Sequence, residues 1–100
     1  MLVGGPKETL DTLSSSKGIS AAILYPTSGA FKGHRAGAAT FQAKAQSVYV
    51  TWDGGAADNT CLLLAVTDTL RLEGFSNLTN FRVLEAAASA TLLVIPEYLD

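Results

Sequence analysis

The side chains of this 100-residue chain that could do chemistry are few: one histidine, His34, one cysteine, Cys61, and the acids Asp53 and Asp58 between two apolar runs. Any Ser–His–Asp or Cys–His mechanism would have to use His34. That residue stands in the glycine-rich stretch "GAFKGHRAG", with no nucleophile or orienting acid beside it in sequence, and such arrangements are defined by geometry. A single cysteine excludes an internal disulfide and a cysteine-based zinc site within one chain. Next to "LLLAV", Cys61 reads as a small buried hydrophobe. Calcium needs six to eight oxygens, and an EF-hand loop supplies them at alternating positions with Gly at the sixth and Glu at the twelfth. Counted from Asp53, the third and fifth positions are Gly55 and Ala57, the sixth is Asp58 and the twelfth is Leu64, so the pattern fails. "SSSK" at 14–17 fits S-x-x-K, but the accompanying S-D-N and K-T-G elements are absent. "NLT" at 77–79 is a glycosylation acceptor only in a secreted chain. The residues therefore lead to an expectation of no enzyme activity, no cofactor and no metal.

Binding chemistry is better represented. Gly29, Gly33 and Gly37 space out Lys32, His34 and Arg35. No GK[ST] follows, so this is not a P-loop; it is a basic loop suited to an acidic surface or a phosphate, or a solvated connection. Tyr49 projects away from its apolar strand neighbours, and with Phe31 it is a candidate exposed aromatic. The formal charge is −2, distributed as +3 over residues 1–52 and −5 over residues 53–100. Such asymmetry suits head-to-tail contacts or a charged protein partner. With a pI near 5.2 and no basic run, nucleic acid is not an expected partner. The longest charge-free stretch, residues 18–31, is fourteen residues broken by Pro26, too short to span a bilayer, so no membrane role is expected. The N-terminus lacks the basic and apolar regions of a signal peptide, and a soluble, non-exported product is expected.

The elements that must carry these residues alternate with period two. "AATFQAK" sets Ala39, Phe41 and Ala43 against Thr40, Gln42 and Lys44; "SVYVTW" sets Val48, Val50 and Trp52 against Tyr49 and Thr51. "GISAAILY", "TLRLE" and "NFRVLE" behave similarly, whereas "CLLLAV" and "ATLLVI" are continuous apolar runs that suit strands covered on both faces or at a subunit contact. Turn residues recur at "PTSG", "DGG", 67–68, "GFSN" and "AAAS". "FRVLEAAASATLL" competes as a helix, but its β-branched residues and Pro96 favour two strands with a turn near Ala87. The sum is an all-β chain: one antiparallel β-sandwich or jelly-roll-like domain, residues 18–100, of about seven short strands. Residues 1–17 are expected to form an N-terminal arm, with Leu10 and Leu13 at i, i+3 available to a partner.

Over roughly residues 18–98, and most specifically from Val48 to Glu85, the chain resembles small structural proteins of tailed bacteriophages, of the decoration or cement type. The residues that carry the likeness are Asp53 and Gly54 in the turn, then Asp68, Leu70, Leu72, Gly74, Asn77, Asn80 and Phe81. The chain departs from that pattern at Thr67, where a glycine is usual. The resemblance implies a virion component made in the host cytoplasm and bound on the capsid surface to the major capsid protein or another virion protein. A homo-oligomer, dimer or trimer, goes with it. Candidate contact residues are Leu10, Leu13, Lys32, His34, Arg35 and Tyr49. The alternative is a carbohydrate- or receptor-binding β-sandwich of a phage tail or head fibre, using Tyr49 and Phe31.

Overall fold

The computed structural model describes residues 2–99. Within them the chain forms β1 (Leu2–Gly4), β2 (Glu8–Leu10), α1 (Ala21–Leu24), β3 (Ala36–Lys44), β4 (Val48–Thr51), β5 (Leu62–Leu64), β6 (Thr69–Glu73), α2 (Phe75–Asn80), β7 (Arg82–Glu85) and β8 (Thr91–Leu99). The protein is mostly β, as the alternation requires, with two antiparallel sheets. The larger runs β1-β8-β3-β6, with β2 also on β8; the smaller runs β5-β4-β7.

Alternation places the core. On β3, Ala39 lies opposite Pro96 and Leu72, Phe41 opposite Val94 and Leu70, and Ala43 opposite Leu92. Val48, Val50 and Leu64 of the smaller sheet join Val83 and Phe81 in the same buried cluster. "FRVLEAAASATLL" forms two strands, and its turn carries the chain from one sheet to the other.

Within the expected arm 1–17, the described residues 2–17 do not stand apart from the sheets. β1 and β2 lie one after the other along β8, with Leu2 opposite Leu99 and Leu10 opposite Leu92. The segment then crosses to the smaller sheet. Lys17 and Val83 exchange both backbone hydrogen bonds (2.9 and 2.8 Å), and the Leu13 carbonyl accepts from Glu85 N–H. Thr12, at φ 54°, turns the chain so that Leu10 and Leu13 both point inward. Burying two leucines contributes about 1.5–3 kcal/mol each, which a free arm would forgo. This segment closes one edge of each sheet.

Pro96, expected to end the last strand, lies inside it. Its carbonyl accepts from Gly5 N–H at 2.9 Å. A strand residue's N–H and C=O point the same way, so the missing N–H of Pro96 faces the break between β1 and β2, where no ladder partner is lost.

Three other expectations change. "GISAAILY" is not a strand: Ser20 takes extended angles, its carbonyl accepts from Ile23 and Leu24, and α1 follows. "GFSN" is not just a turn, because α2 starts after Gly74 (φ 98°) and is anchored by buried Leu78. "CLLLAV" shortens to a three-residue edge strand in which only Leu64 is buried. Its link to β4 spans residues 52–61, longer than a tight hairpin, with Gly54 at φ 91°.

Candidate functional site

At one end of the larger sheet, the start of β3, the ends of β6 and β8, and β1 surround a groove of about 440 Å³. Leu2, Gly37, Phe75 and Leu99 supply its apolar surface, with Arg35 and Glu73 at its margin. The local chain explains the shape. The β3–β8 register shifts between Ala36 and Ala38, the mark of a bulge, which leaves Gly37 out of the ladder. A Cβ on Gly37 would come 2.9 Å from Leu2 Cδ2, so the glycine lets the end of the Leu2 side chain lie close against this bend. The Gly37 carbonyl accepts from Gly74 N–H at 2.8 Å, tying the bulge to the residue that starts α2. Phe75 then sits under the Arg35 guanidinium, 4.8 Å from the ring centre, in a cation–π contact.

The sheet face beside the groove is charged. Arg71 pairs with Glu73 and, at 3.0 Å, with Glu97, and both carboxylates raise its pKa, Glu73 more than Glu97. An apolar floor with an arginine on one side and this Arg–Glu chain on the other can take an apolar side chain flanked by polar or acidic groups.

The expected contact residues separate. Arg35 borders the groove. His34 holds its neighbour Leu99: a carbonyl can only accept, so His34 Nδ1–H donates to the Leu99 oxygen at 2.7 Å. Lys32 is exposed on the same loop. Tyr49 is half-buried on the smaller sheet, opposite Leu63 and Leu84. Leu10 and Leu13 are buried in the core. Phe31 is half-buried, its ring stacked 4.6 Å from Tyr98. Leu2, Phe75 and Leu99 were missed by sequence reasoning. Leu2 and Leu99 stand at opposite ends of the chain, and only the β1–β8 register brings them together.

The remaining polar residues have local work. Asp53 Oδ1 accepts from Gly55 N–H at 2.8 Å, and Asp58 Oδ1 accepts from the Thr60 N–H and hydroxyl, which lowers the Asp58 pKa. Cys61 is half-buried, not core, with its thiol 3.6 Å from Asp58 Oδ1. Ser16 Oγ accepts from Ala57 N–H, and Lys17 Nζ donates to the Asp11 carbonyl. Among the described residues, no group of three or more His, Cys, Asp or Glu side chains is gathered as a metal site needs.

No protein-family model, curated protein or solved structure matches the chain.

Proposed function

We propose that this protein is a non-enzymatic structural component of a tailed-phage virion, a decoration protein that binds the major capsid protein on the outside of the shell. The observation that carries this reading is the groove in which Arg35 covers Phe75 beside Leu99, a side chain that is 59% exposed. One wall of that groove, Glu73 to Phe75, belongs to the segment that resembles such proteins. The occupant is a surface segment of the capsid protein that places an apolar side chain between Leu2 and Leu99 and an acidic group against Arg35. We further read the two sheets as the faces of a β-sandwich of jelly-roll type, joined through their common core. A rigid β domain tied by its own N-terminal strands suits a protein that must hold neighbouring capsomers in fixed positions.

The test is co-sedimentation with shells assembled from the major capsid protein of the encoding phage. Wild type should pellet with the shells. Arg35→Glu and Leu99→Asp should each reduce the bound fraction at least tenfold while the far-UV circular dichroism stays unchanged. Undiminished binding by both folded variants, or no binding by wild type, overturns the proposal.

A further inference from the structure

The smaller sheet has one closed edge and one open edge. Residues 13–17 cover β7, where Lys17 pairs with Val83 and Leu13 with Glu85. Those bonds define which backbone groups point where. Val83 and Glu85 direct their N–H and C=O outward, so Leu84 directs its pair toward Tyr49 on β4. Tyr49 is thereby turned to β7, and its neighbours Val48 and Val50 bond to Leu64 and Leu62 of β5. Leu63 remains. Opposite Tyr49 but not bonded to it, Leu63 directs both its N–H and its C=O away from the sheet, and among the described residues nothing pairs with them.

The side chains around this point are apolar and uncovered. Leu62 is 54% exposed and Leu63 53%. Across the outer face, Leu84, Tyr49 and Leu63 form one row perpendicular to the strands. Residues 59–67 contain no charge and no proline, the usual devices that keep an edge strand from pairing. Turns close both ends: the Asp58 carbonyl accepts from Cys61 N–H, and the Ala65 carbonyl accepts from Asp68 N–H. The stretch left open between them is centred on Leu63.

We propose that this edge binds a second copy of the chain, β5 against β5 in antiparallel fashion, with the two-fold axis passing between the two Leu63 residues. A donor and an acceptor on one residue, facing the same way, are self-complementary under that operation. Leu63 N–H donates to the partner copy's Leu63 carbonyl and accepts the reciprocal bond, as in a hydrogen-bonded antiparallel pair. The result is a continuous six-stranded sheet in which the apolar row runs on from one copy to the other. An isologous contact closes on itself, so it yields a dimer and not a fibre. The edge lies in the other sheet from the groove, and the dimer does not depend on the capsid-binding reading.

Sedimentation velocity over about 1–300 μM tests it, a range suited to an interface with a small buried area. Wild type should move toward twice the 10.4 kDa chain mass as concentration rises. Leu63→Lys should stay monomeric with unchanged circular dichroism. Leu63→Pro removes only an N–H that the monomer does not use, and where it folds it should also stay monomeric. In a Cys61→Ser background, Leu63→Cys should cross-link under mild oxidation at least tenfold faster than Thr9→Cys, which is exposed on the larger sheet. A wild type that is monomeric throughout, a dimer that survives Leu63→Lys, or equal cross-linking of the two cysteine variants overturns the proposal.

Discussion

The ring of Phe41 on β3 lies 4.1 Å from the ring of Phe81, centre to centre, and the two planes are within 10° of parallel. Phe41 belongs to the larger sheet, Phe81 leads into β7 of the smaller, and both are fully buried. This stack is a direct contact across the common core. Phe41→Ala or Phe81→Ala should each cost about 3–5 kcal/mol in urea denaturation. A double-mutant cycle with leucine at both positions should leave a coupling of about 0.5–1.5 kcal/mol. A coupling of zero would mean that each ring contributes only through its own burial.

Leu13 tests the role of the N-terminal segment. It is fully buried and its carbonyl holds Glu85, so Leu13→Ala should destabilise the protein by about 2–5 kcal/mol. Deleting residues 1–10 should speed hydrogen exchange along β8, where Gly5 N–H meets the Pro96 carbonyl. Wild-type stability after either change would restore the picture of a free arm.

Two positions at the ends of β6 should respond to glycine with opposite signs. Thr67, a β-branched residue, is held at φ 73° while its N–H donates to the Ala43 carbonyl and its carbonyl accepts from Gln42. Thr67→Gly should therefore raise stability by roughly 1 kcal/mol, the left-handed strain relieved less the added unfolded-state entropy. Gly74, at φ 98° and ψ 130°, has the opposite requirement. A Cβ there would find its nearest neighbour at 3.7 Å, so space is not limiting, and Gly74→Ala should cost about 1–3 kcal/mol through backbone strain alone. Thermal melts of the two variants should shift in opposite directions.

Tyr98 makes stability depend on alkaline pH. Burial raises its pKa, the Glu8 charge adds to the shift, and the hydroxyl donates to the Ile23 carbonyl. With the folded pKa above the unfolded value of about 10, its contribution is complete below pH about 10. It is lost as the pH rises through the folded pKa, because the unfolded chain releases its proton first. Tyr98→Phe should cost about 1 kcal/mol near neutral pH by losing one hydrogen bond. It should also flatten the decline in melting temperature above pH 10; an equally steep decline in the variant would place the effect elsewhere.

The candidate site was only partly legible. Arg35 and His34 stood out because charge between glycines is conspicuous; Arg35 lines the groove and His34 bonds the Leu99 carbonyl. Leu2, Phe75 and Leu99 carried no local sign, since an isolated apolar residue looks the same whether it lines a groove or fills a core. Leu10 and Leu13 misled for a related reason. Their i, i+3 spacing suits a helical turn, but the positive φ of Thr12 brings both inward along a strand path.

What the sequence determined by itself is which side of a strand is apolar. Side chains alternate at every step of an extended chain, so Phe41, Val48, Val50 and Val83 were assignable to the core from order alone. What the tertiary structure decided is which strands pair and which edges stay open. β8 accepts β1, β2 and β3 from segments far away in the chain, and among the described residues β7 is covered by residues 13–17 while the outer edge of β5 is not covered. Pairing depends on the burial and hydrogen bonding gained by distant segments together, and no window of adjacent residues contains that sum.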